Sequence, residues 1–254
     1  MAKLTLKILN KLVSTLVGLI LLVLATYSIY ALWDNKQVYS AAEDVQADML
    51  KLKPIIDPED NSASFEELLA INEDVCAWIS LDNTKIDYPV LQGEDILSYI
   101  NTDVYGNFAL PGSIFLDTTN DKNFQDAYSL IYGHHMTNHQ MFGDLDLYEE
   151  RSFFDNNTTG TLILPDRSYQ LEIFACMLVK SSEEAIFRPE QWLTDINGLL
   201  AFAQENSLQL HPETIEQLQK EEHPQILGLS TCSTDFTDAR TVVLARMVPS
   251  SQMK

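Results

Sequence analysis

Cys232 and Arg240 are the residues whose types and spacing most directly suggest chemistry. Cys232 ends the strand-like stretch 226–232, and Arg240 begins the next such stretch after seven residues rich in turn formers. If the two strands form an antiparallel hairpin, the thiol and the guanidinium lie side by side at one rim. A fixed positive charge lowers the pKa of a nearby thiol and stabilises an oxyanion formed beside it. The alternatives without catalysis are that the cysteine is a small buried residue and that the arginine forms an ion pair with Asp235 or Asp238.

His134 adds the proton donor that cysteine acyl chemistry needs. It follows the strand-like stretch 130–132 and Gly133, so its imidazole also emerges at the end of a strand. A thiolate must attack the carbonyl, and an acid must protonate the leaving amine. A cysteine, a histidine and an arginine at strand ends of one small domain meet both needs.

The elements that would hold these side chains are short strands. Eight segments rich in strand-forming residues lie between turn formers. They are 75–80, 85–91, 113–117, 127–132, 161–164, 169–179, 225–231 and 240–247. Eight short strands with few helices between them predict a closed or nearly closed β-barrel. Within them, 241–245 is apolar on both sides, which predicts a central strand, whereas 169–179 alternates as a half-buried strand does.

Helices are predicted at two places in the chain. Residues 180–224 interrupt the strands with 45 residues that have helical periodicity, and Pro212 begins the second helix there. Near the amino terminus, apolar residues at helical spacing predict an amphipathic helix over 36–53. After a turn-rich hinge at 57–61, Ser64 and Glu67 form a capping-box pattern that predicts a short helix.

Residues 12–33 form an apolar stretch of 22 residues without a charge, long enough to cross a bilayer as a helix. Lys3, Lys7 and Lys11 precede it and predict a cytoplasmic amino terminus, with the rest of the chain outside the cell. The alternative is a cleaved signal peptide with its site near 40–42. That site lies too far beyond an over-long apolar core, so we favour a single-pass membrane anchor.

Charge and cysteine content argue against a nucleic-acid-binding protein and against a protein held together by a disulfide framework. Beyond residue 33 the chain has 13 basic and 37 acidic residues, a net charge of −24. Such a field repels nucleic acid and anionic lipid headgroups. Cys76, Cys176 and Cys232 are too few and too widely spaced for a disulfide framework.

The motifs around the candidate residues resemble those of the sortase family. The matching stretches are YGHHM at 132–136, MFGDL at 141–145, LSTC at 229–232 and DAR at 238–240. Upstream, NEDVCAWI at 72–79, IDYPVLQG at 86–93 and GSIFLD at 112–117 resemble class B sortases in particular. The resemblance spans roughly 65–247 with the motifs in the same order. Class C is disfavoured because the Asp-Pro at 57–58 lacks the aromatic residue that follows it in that class.

The resemblance implies a fold and three catalytic residues. The implied fold is an eight-stranded sortase-type barrel with amino-terminal helices and a helical insert before the cysteine strand. Cys232 would be the nucleophile, His134 the acid, and Arg240 the group that orients substrate and oxyanion. Domain boundaries follow: a cytoplasmic tail at 1–11, an anchor at 12–33, a juxtamembrane helix and linker at 34–63, and a catalytic domain at 64–254.

The resemblance also implies the reaction and its partners. Family members cleave the carboxy-terminal sorting signal of a secreted protein after Thr, form a thioacyl enzyme, and pass the acyl group to an amine. The amine is a pilin lysine or a peptidoglycan cross-bridge, with a slight preference here for pilin linkage. We predict that Ser230, Thr231 and His135 contact the substrate, and that neither a cofactor nor a metal is needed.

Three other functions compete with this one. His134, His135 and His139 lie within six residues and, with Asp144, suggest a metal-dependent surface hydrolase. A non-catalytic surface protein would need none of the three catalytic residue types. A papain-like hydrolase is disfavoured because there the nucleophile precedes the histidine, whereas His134 comes 98 residues before Cys232.

Overall fold

The computed structural model describes residues 2–56, 63–232 and 238–250. The side chains of Ala2 and Cys232 lie outside this description. The predicted hinge at 57–61 and most of the turn between Cys232 and Arg240 also lie outside it. The described chain divides into two compact units, residues 1–41 and residues 42–254.

The first unit consists of the amino-terminal part of one helix, α1 (Ala2–Leu50). Its apolar side chains are exposed over 4–33, and among the described residues it is the one helix long and apolar enough to cross a membrane. The separate helix predicted over 36–53 is instead the carboxy-terminal part of α1. No glycine or proline interrupts residues 19–53, so nothing in the sequence breaks the helix between the two predicted segments.

The second unit is built on ten strands. They are β1 (Val75–Leu81), β2 (Asp87–Leu91), β3 (Ile114–Leu116), β4 (Tyr128–Met136), β5 (Gln140–Met141), β6 (Thr159–Ile163), β7 (Ser168–Lys180), β8 (Gln209–Leu210), β9 (Ile226–Cys232) and β10 (Ala239–Pro249). All eight predicted strands are confirmed. The two unpredicted strands, β5 and β8, are two residues long and add to the edges of β4 and β7.

Eight of these strands close into a barrel. Their order is β10-β9-β4-β3-β2-β1-β6-β7, and β7 pairs with β10 to complete the ring. The β2–β3 and β4–β9 pairs are parallel, and the other pairs in the ring are antiparallel. β10 therefore has a partner on each side, as its apolar sequence predicts. The closed eight-stranded barrel confirms the predicted fold class.

Short helices fill the connections. They are α2 (Glu66–Ile71), α3 (Arg151–Asn156), α4 (Glu184–Phe187), α5 (Asn197–Asn206), α6 (Pro212–Leu218) and two 3₁₀ helices, Gly143–Glu149 and Pro189–Trp192. The predicted insert is confirmed, with Pro212 as the first residue of α6. The capping box is wrong as a detail, because Phe65 and not Ser64 occupies the N-cap position of α2 and makes no side-chain cap bond.

The insert packs on the outside of β7. Leu199, Leu200 and Ala203 of α5 are buried in the same apolar cluster as Ala175 and Met177 of β7. Covered in this way, the middle of β7 is buried on both of its faces. The prediction of a half-buried strand over 169–179 therefore holds near its ends but not in its middle, where the insert replaces solvent.

Candidate active site

The end of the barrel where β4, β9 and β10 meet carries the three candidate catalytic positions. Along the parallel β4–β9 pair, the Cα atoms of His134 and Cys232 are direct partners. β10 lies on the other side of β9, in an antiparallel register that pairs Val242 with Ser230. Two residues further along that register, Arg240 lies level with Cys232. Positions 134, 232 and 240 thus occupy one rim on three adjacent strands.

The imidazole of His134 is oriented by a backbone carbonyl. Its Nε2 atom lies 2.6 Å from the oxygen of Ile100, in the connection between β2 and β3. A carbonyl oxygen only accepts hydrogen bonds, so Nε2 carries the hydrogen. His134 is half-buried, and this bond fixes both its ring orientation and its tautomer. Nδ1 is then left as the nitrogen that gives or takes a proton.

Gly112 allows the Ile100 carbonyl to reach this position. Its φ of +58° lies in the left-handed region. A Cβ atom at Gly112 would lie 2.4 Å from the Ile100 oxygen and 2.5 Å from the Tyr99 oxygen. Only glycine fits between these two carbonyls without moving them. The same connection is held further by the Ser113 backbone N–H, which donates to the Tyr99 oxygen at 3.0 Å.

Arg240 is the second residue of β10, and its Cα pairs with that of Val179 in β7. The guanidinium is partly exposed at the rim. Asp238, one of its two predicted ion-pair partners, accepts a hydrogen bond from the Ser181 hydroxyl. The other, Asp235, lies outside the described residues.

Ser230 and Thr231, which we predicted to contact substrate, lie beneath the rim. Ser230 is fully buried and its hydroxyl donates to the Thr231 carbonyl at 3.2 Å. The Thr231 hydroxyl accepts the backbone N–H of Thr241 at 3.2 Å. The Thr231 side chain therefore connects the ends of β9 and β10, whereas that of Ser230 bonds within β9. The contact of both side chains with substrate stays a prediction.

His135, the third predicted substrate contact, bonds to an acidic residue that the sequence analysis did not single out. Its Nε2 atom lies 2.6 Å from Asp146 Oδ2, and its side chain is 28% exposed. Asp146 also accepts the Thr241 hydroxyl at 3.0 Å. Burial raises the pKa of Asp146, but the hydrogen bond and positive charge of His135 and the Thr241 hydroxyl outweigh burial and lower it overall.

The three histidines of the metal hypothesis have separate partners. His134 bonds to a backbone carbonyl and His135 to Asp146, while His139 Nδ1 lies 2.6 Å from Asp144 Oδ1. Asp144 is buried, and its second oxygen accepts the Lys85 backbone N–H at 2.6 Å. Across residues 2–56, 63–232 and 238–250, no three His, Cys, Asp or Glu side chains gather as metal ligands would. Each of the three histidines therefore has a partner of its own.

Cys76 and Cys176 are both free thiols that are buried. Burial raises the pKa of Cys76 to about 12 and that of Cys176 still further. Neither thiol ionises near neutral pH, so neither is suited to nucleophilic attack.

The sequence predicts the three rim positions but not the groups that hold them. The Ile100 carbonyl is a backbone atom, which no residue type marks. Asp146 lies in a 3₁₀ helix just beyond the 141–145 motif, and its partners are distant in sequence. The signal in the sequence that could have pointed to Asp146 is the closeness of the 141–145 motif to His135 and His139.

Comparison with known proteins gives one consistent result. The sortase domain family model matches residues 79–248. Sortase B of Listeria monocytogenes is 30% identical over 184 residues, covering 72% of this chain and 73% of its own length, and sortase B of Staphylococcus aureus is 28% identical over 186 residues, covering 72% and 74%.

Solved structures agree with the sequence matches. A class B sortase of Streptococcus pyogenes involved in pilus biogenesis superposes with a TM-score of 0.65 at 36% identity, covering 72% of this chain and 97% of that one. The Staphylococcus aureus sortase B–substrate complex superposes with a TM-score of 0.64 at 26% identity, covering 85% and 97%. The chain belongs to the sortase family of cysteine transpeptidases and is class B-like.

Proposed function

We propose that this chain cleaves the carboxy-terminal sorting signal of secreted proteins through a thioacyl enzyme on Cys232. The acyl group then passes to an amine. The observation that carries the proposal is the Cα pairing of His134 with Cys232 on parallel strands, with Arg240 at the start of the next strand. This arrangement supports the roles of acid, nucleophile and fixed cation that we propose for these three residues.

In the first half of the reaction, the Cys232 thiolate attacks the carbonyl carbon of the scissile peptide. A C–S bond forms and the carbonyl oxygen takes up the negative charge, which the Arg240 guanidinium stabilises with its fixed donors. The C–N bond then breaks as His134 gives its proton to the leaving amine. The product is a thioester, and the carboxy-terminal peptide departs.

In the second half, an acceptor amine attacks the thioester. His134, now neutral, takes the proton from the attacking nitrogen, and the C–S bond breaks to restore the thiolate. The Ile100 carbonyl supports this cycle because it holds Nε2–H throughout, so that Nδ1 alone exchanges the proton. A backbone carbonyl here has the orienting function that a carboxylate has in other catalytic triads.

We propose a pilin lysine as the acceptor, in preference to a peptidoglycan cross-bridge. The support is the 36% identity, over the superposed structures, to the Streptococcus pyogenes class B sortase involved in pilus biogenesis, against 26% to sortase B of Staphylococcus aureus. Competition between a lysine-bearing pilin domain and an oligoglycine amine for the same thioester tests this choice. Preferential capture by oligoglycine would favour wall anchoring.

We further propose that residues 12–33 cross the membrane once and that the catalytic domain lies outside the cell. The apolar helix and the three lysines before it support this orientation. Protease treatment of intact cells should release the catalytic domain and leave the amino-terminal tail protected. Full protection of the catalytic domain would contradict the orientation.

The test of the proposed function is acyl transfer by the full chain in detergent micelles. The substrate is a library of sorting-signal peptides with Thr at the cleavage position, and the acceptor is hydroxylamine. Wild type should release the carboxy-terminal fragment and form the hydroxamate, whereas Cys232→Ala should do neither while keeping its unfolding temperature. Turnover above about 1% of wild type in Cys232→Ala would contradict a nucleophilic role for this residue.

A further inference from the structure

We propose that Asp146 is a positioning residue for this reaction. Its carboxylate connects His135, which follows His134, to Thr241, which follows Arg240. This inference rests on the proposed function, since it takes His134, Cys232 and Arg240 as the reacting groups. Asp146 acts on them through their neighbours. It is not itself a catalytic residue.

Two hydrogen bonds of Asp146 connect two strands of the rim. One oxygen, Oδ2, lies 2.6 Å from His135 Nε2, at the end of β4. The other, Oδ1, accepts the Thr241 hydroxyl at 3.0 Å, at the start of β10. Successive side chains of a strand point to opposite faces, so His135 and Thr241 are fixed on one face while the residues before them point to the other, on which the substrate would lie.

Thr241 extends the connection to the cysteine strand. Its backbone N–H donates to the Thr231 hydroxyl at 3.2 Å, and Thr231 directly precedes Cys232. Each of the three catalytic positions therefore has a sequence neighbour in one hydrogen-bonded chain, His135–Asp146–Thr241–Thr231. Movement of any one of the three strand ends relative to the others would stretch a bond of this chain.

The charges around Thr241 explain why the His135 bond matters. The Thr241 hydroxyl lies 3.0 Å from both Asp146 Oδ1 and Glu149 Oε1, yet it has one proton to donate. Two carboxylates thus approach a single donor, and a nearby cation is needed to offset the repulsion between their charges. The imidazole of His135 provides one when protonated, and its bond holds Asp146 at Thr241.

The exposure of Asp146 indicates a larger role in alignment than in stability. Its side chain is 46% exposed, and an ion pair of that exposure contributes little to the free energy of unfolding. Alignment of reacting groups is far more sensitive, since a misplacement of about 1 Å can cost about 100-fold in rate. Loss of Asp146 should therefore reduce turnover much more than stability.

The experiment compares Asp146→Ala, Asp146→Asn and His135→Gln in the full chain. Asp166→Asn is the matched control, because Asp166 is also an exposed carboxylate in an ion pair, with Arg167, but precedes β7 at the other end of the barrel. Steady-state acyl transfer gives kcat and KM for the peptide, and thermal unfolding reports stability.

We expect kcat of Asp146→Ala to fall about 10- to 100-fold, with KM within about twofold of wild type. Asp146→Asn keeps an acceptor oxygen of the same shape, so its kcat should lie between those of Asp146→Ala and wild type. The double variant His135→Gln/Asp146→Ala should be no slower than the slower single variant, since both substitutions break the same connection between His135 and Asp146. Asp166→Asn should behave as wild type.

Three results would overturn the inference: kcat of Asp146→Ala within twofold of wild type, a rise in KM as large as the fall in kcat, or additive losses in the double variant. If Asp146→Ala does not fold, Asp146→Asn and His135→Gln decide on the same criteria. A wild-type chain without thioester formation refutes the proposed function instead, so the two failures are distinguishable.

Discussion

Gly112→Ala should impair turnover by displacing the carbonyl that orients His134. At φ +58° an alanine costs roughly 1–2 kcal/mol of strain. The added Cβ would also lie 2.4 Å from the Ile100 oxygen, which must move by roughly 1–1.6 Å to restore ordinary contact. Because that oxygen accepts the His134 Nε2–H at 2.6 Å, the imidazole must move with it or lose its bond.

The chain offers a matched control in Gly106→Ala. Gly106 also has a positive φ, +81°, but nothing lies within 4 Å of a Cβ placed there. Alanine at this position carries the backbone strain without the collision. We therefore expect both variants to lose roughly 1–2 kcal/mol or more of unfolding free energy, with the larger loss in Gly112→Ala.

Activity should separate the two variants. Displacement of His134 by close to 1 Å predicts a fall in kcat of about 10- to 100-fold for Gly112→Ala and little change for Gly106→Ala. Denaturant unfolding gives the stability of each variant, and acyl transfer gives kcat at a temperature where both are folded. Equal kcat values for the two variants would refute the claim that the Ile100 carbonyl orients the catalytic histidine.

Three further predictions follow from other parts of the structure. Arg240→Lys should reduce kcat severely at unchanged stability, because an ammonium lacks the forked donors of the guanidinium. Near-normal kinetics of this variant would show that Arg240 only forms a surface ion pair. Arg246 pairs with Glu172 at 2.7 Å and with Glu221 at 2.5 Å, and its side chain is 20% exposed. Arg246→Lys should therefore cost about 1 kcal/mol of unfolding free energy and leave kcat unchanged, and a fall in kcat would contradict this. Because the folded-state pKa of Asp146 lies below its usual value of 3.8, its contribution to stability is present above that pH and lost as the pH falls through the folded pKa. Unfolding temperatures measured from pH 5 to pH 2 should therefore decline slightly more steeply for wild type than for Asp146→Asn, in keeping with the small contribution of an exposed ion pair, and a steeper decline for Asp146→Asn would contradict the lowered pKa.

The strands were predictable because each has the length and composition that mark one. All eight were found within a few residues of their ends, and the central position of β10 followed from its apolar sequence on both faces. β5 and β8 were missed because two residues show no periodicity. The burial of the middle of β7 depends on packing of the insert, which the alternation within a single strand does not report.

The candidate site was predictable in its residues but not in its support. The antiparallel pairing of β9 and β10 follows from their proximity in sequence, and it is confirmed. The parallel pairing of β4 with β9 joins positions 98 residues apart, which spacing alone does not reveal. The Ile100 carbonyl and the two-sided contact of Asp146 arise from loop geometry, so they needed coordinates.

The most direct test of the central claim is to locate the acyl group on the protein. The full chain is incubated with a reactive sorting-signal peptide, trapped in acid, digested and analysed by mass spectrometry. We predict a hydroxylamine-sensitive adduct on the fragment that contains Cys232, and none on the fragments that contain Cys76 or Cys176. Turnover of the peptide with no adduct on Cys232, or with an adduct at another residue, would contradict the account.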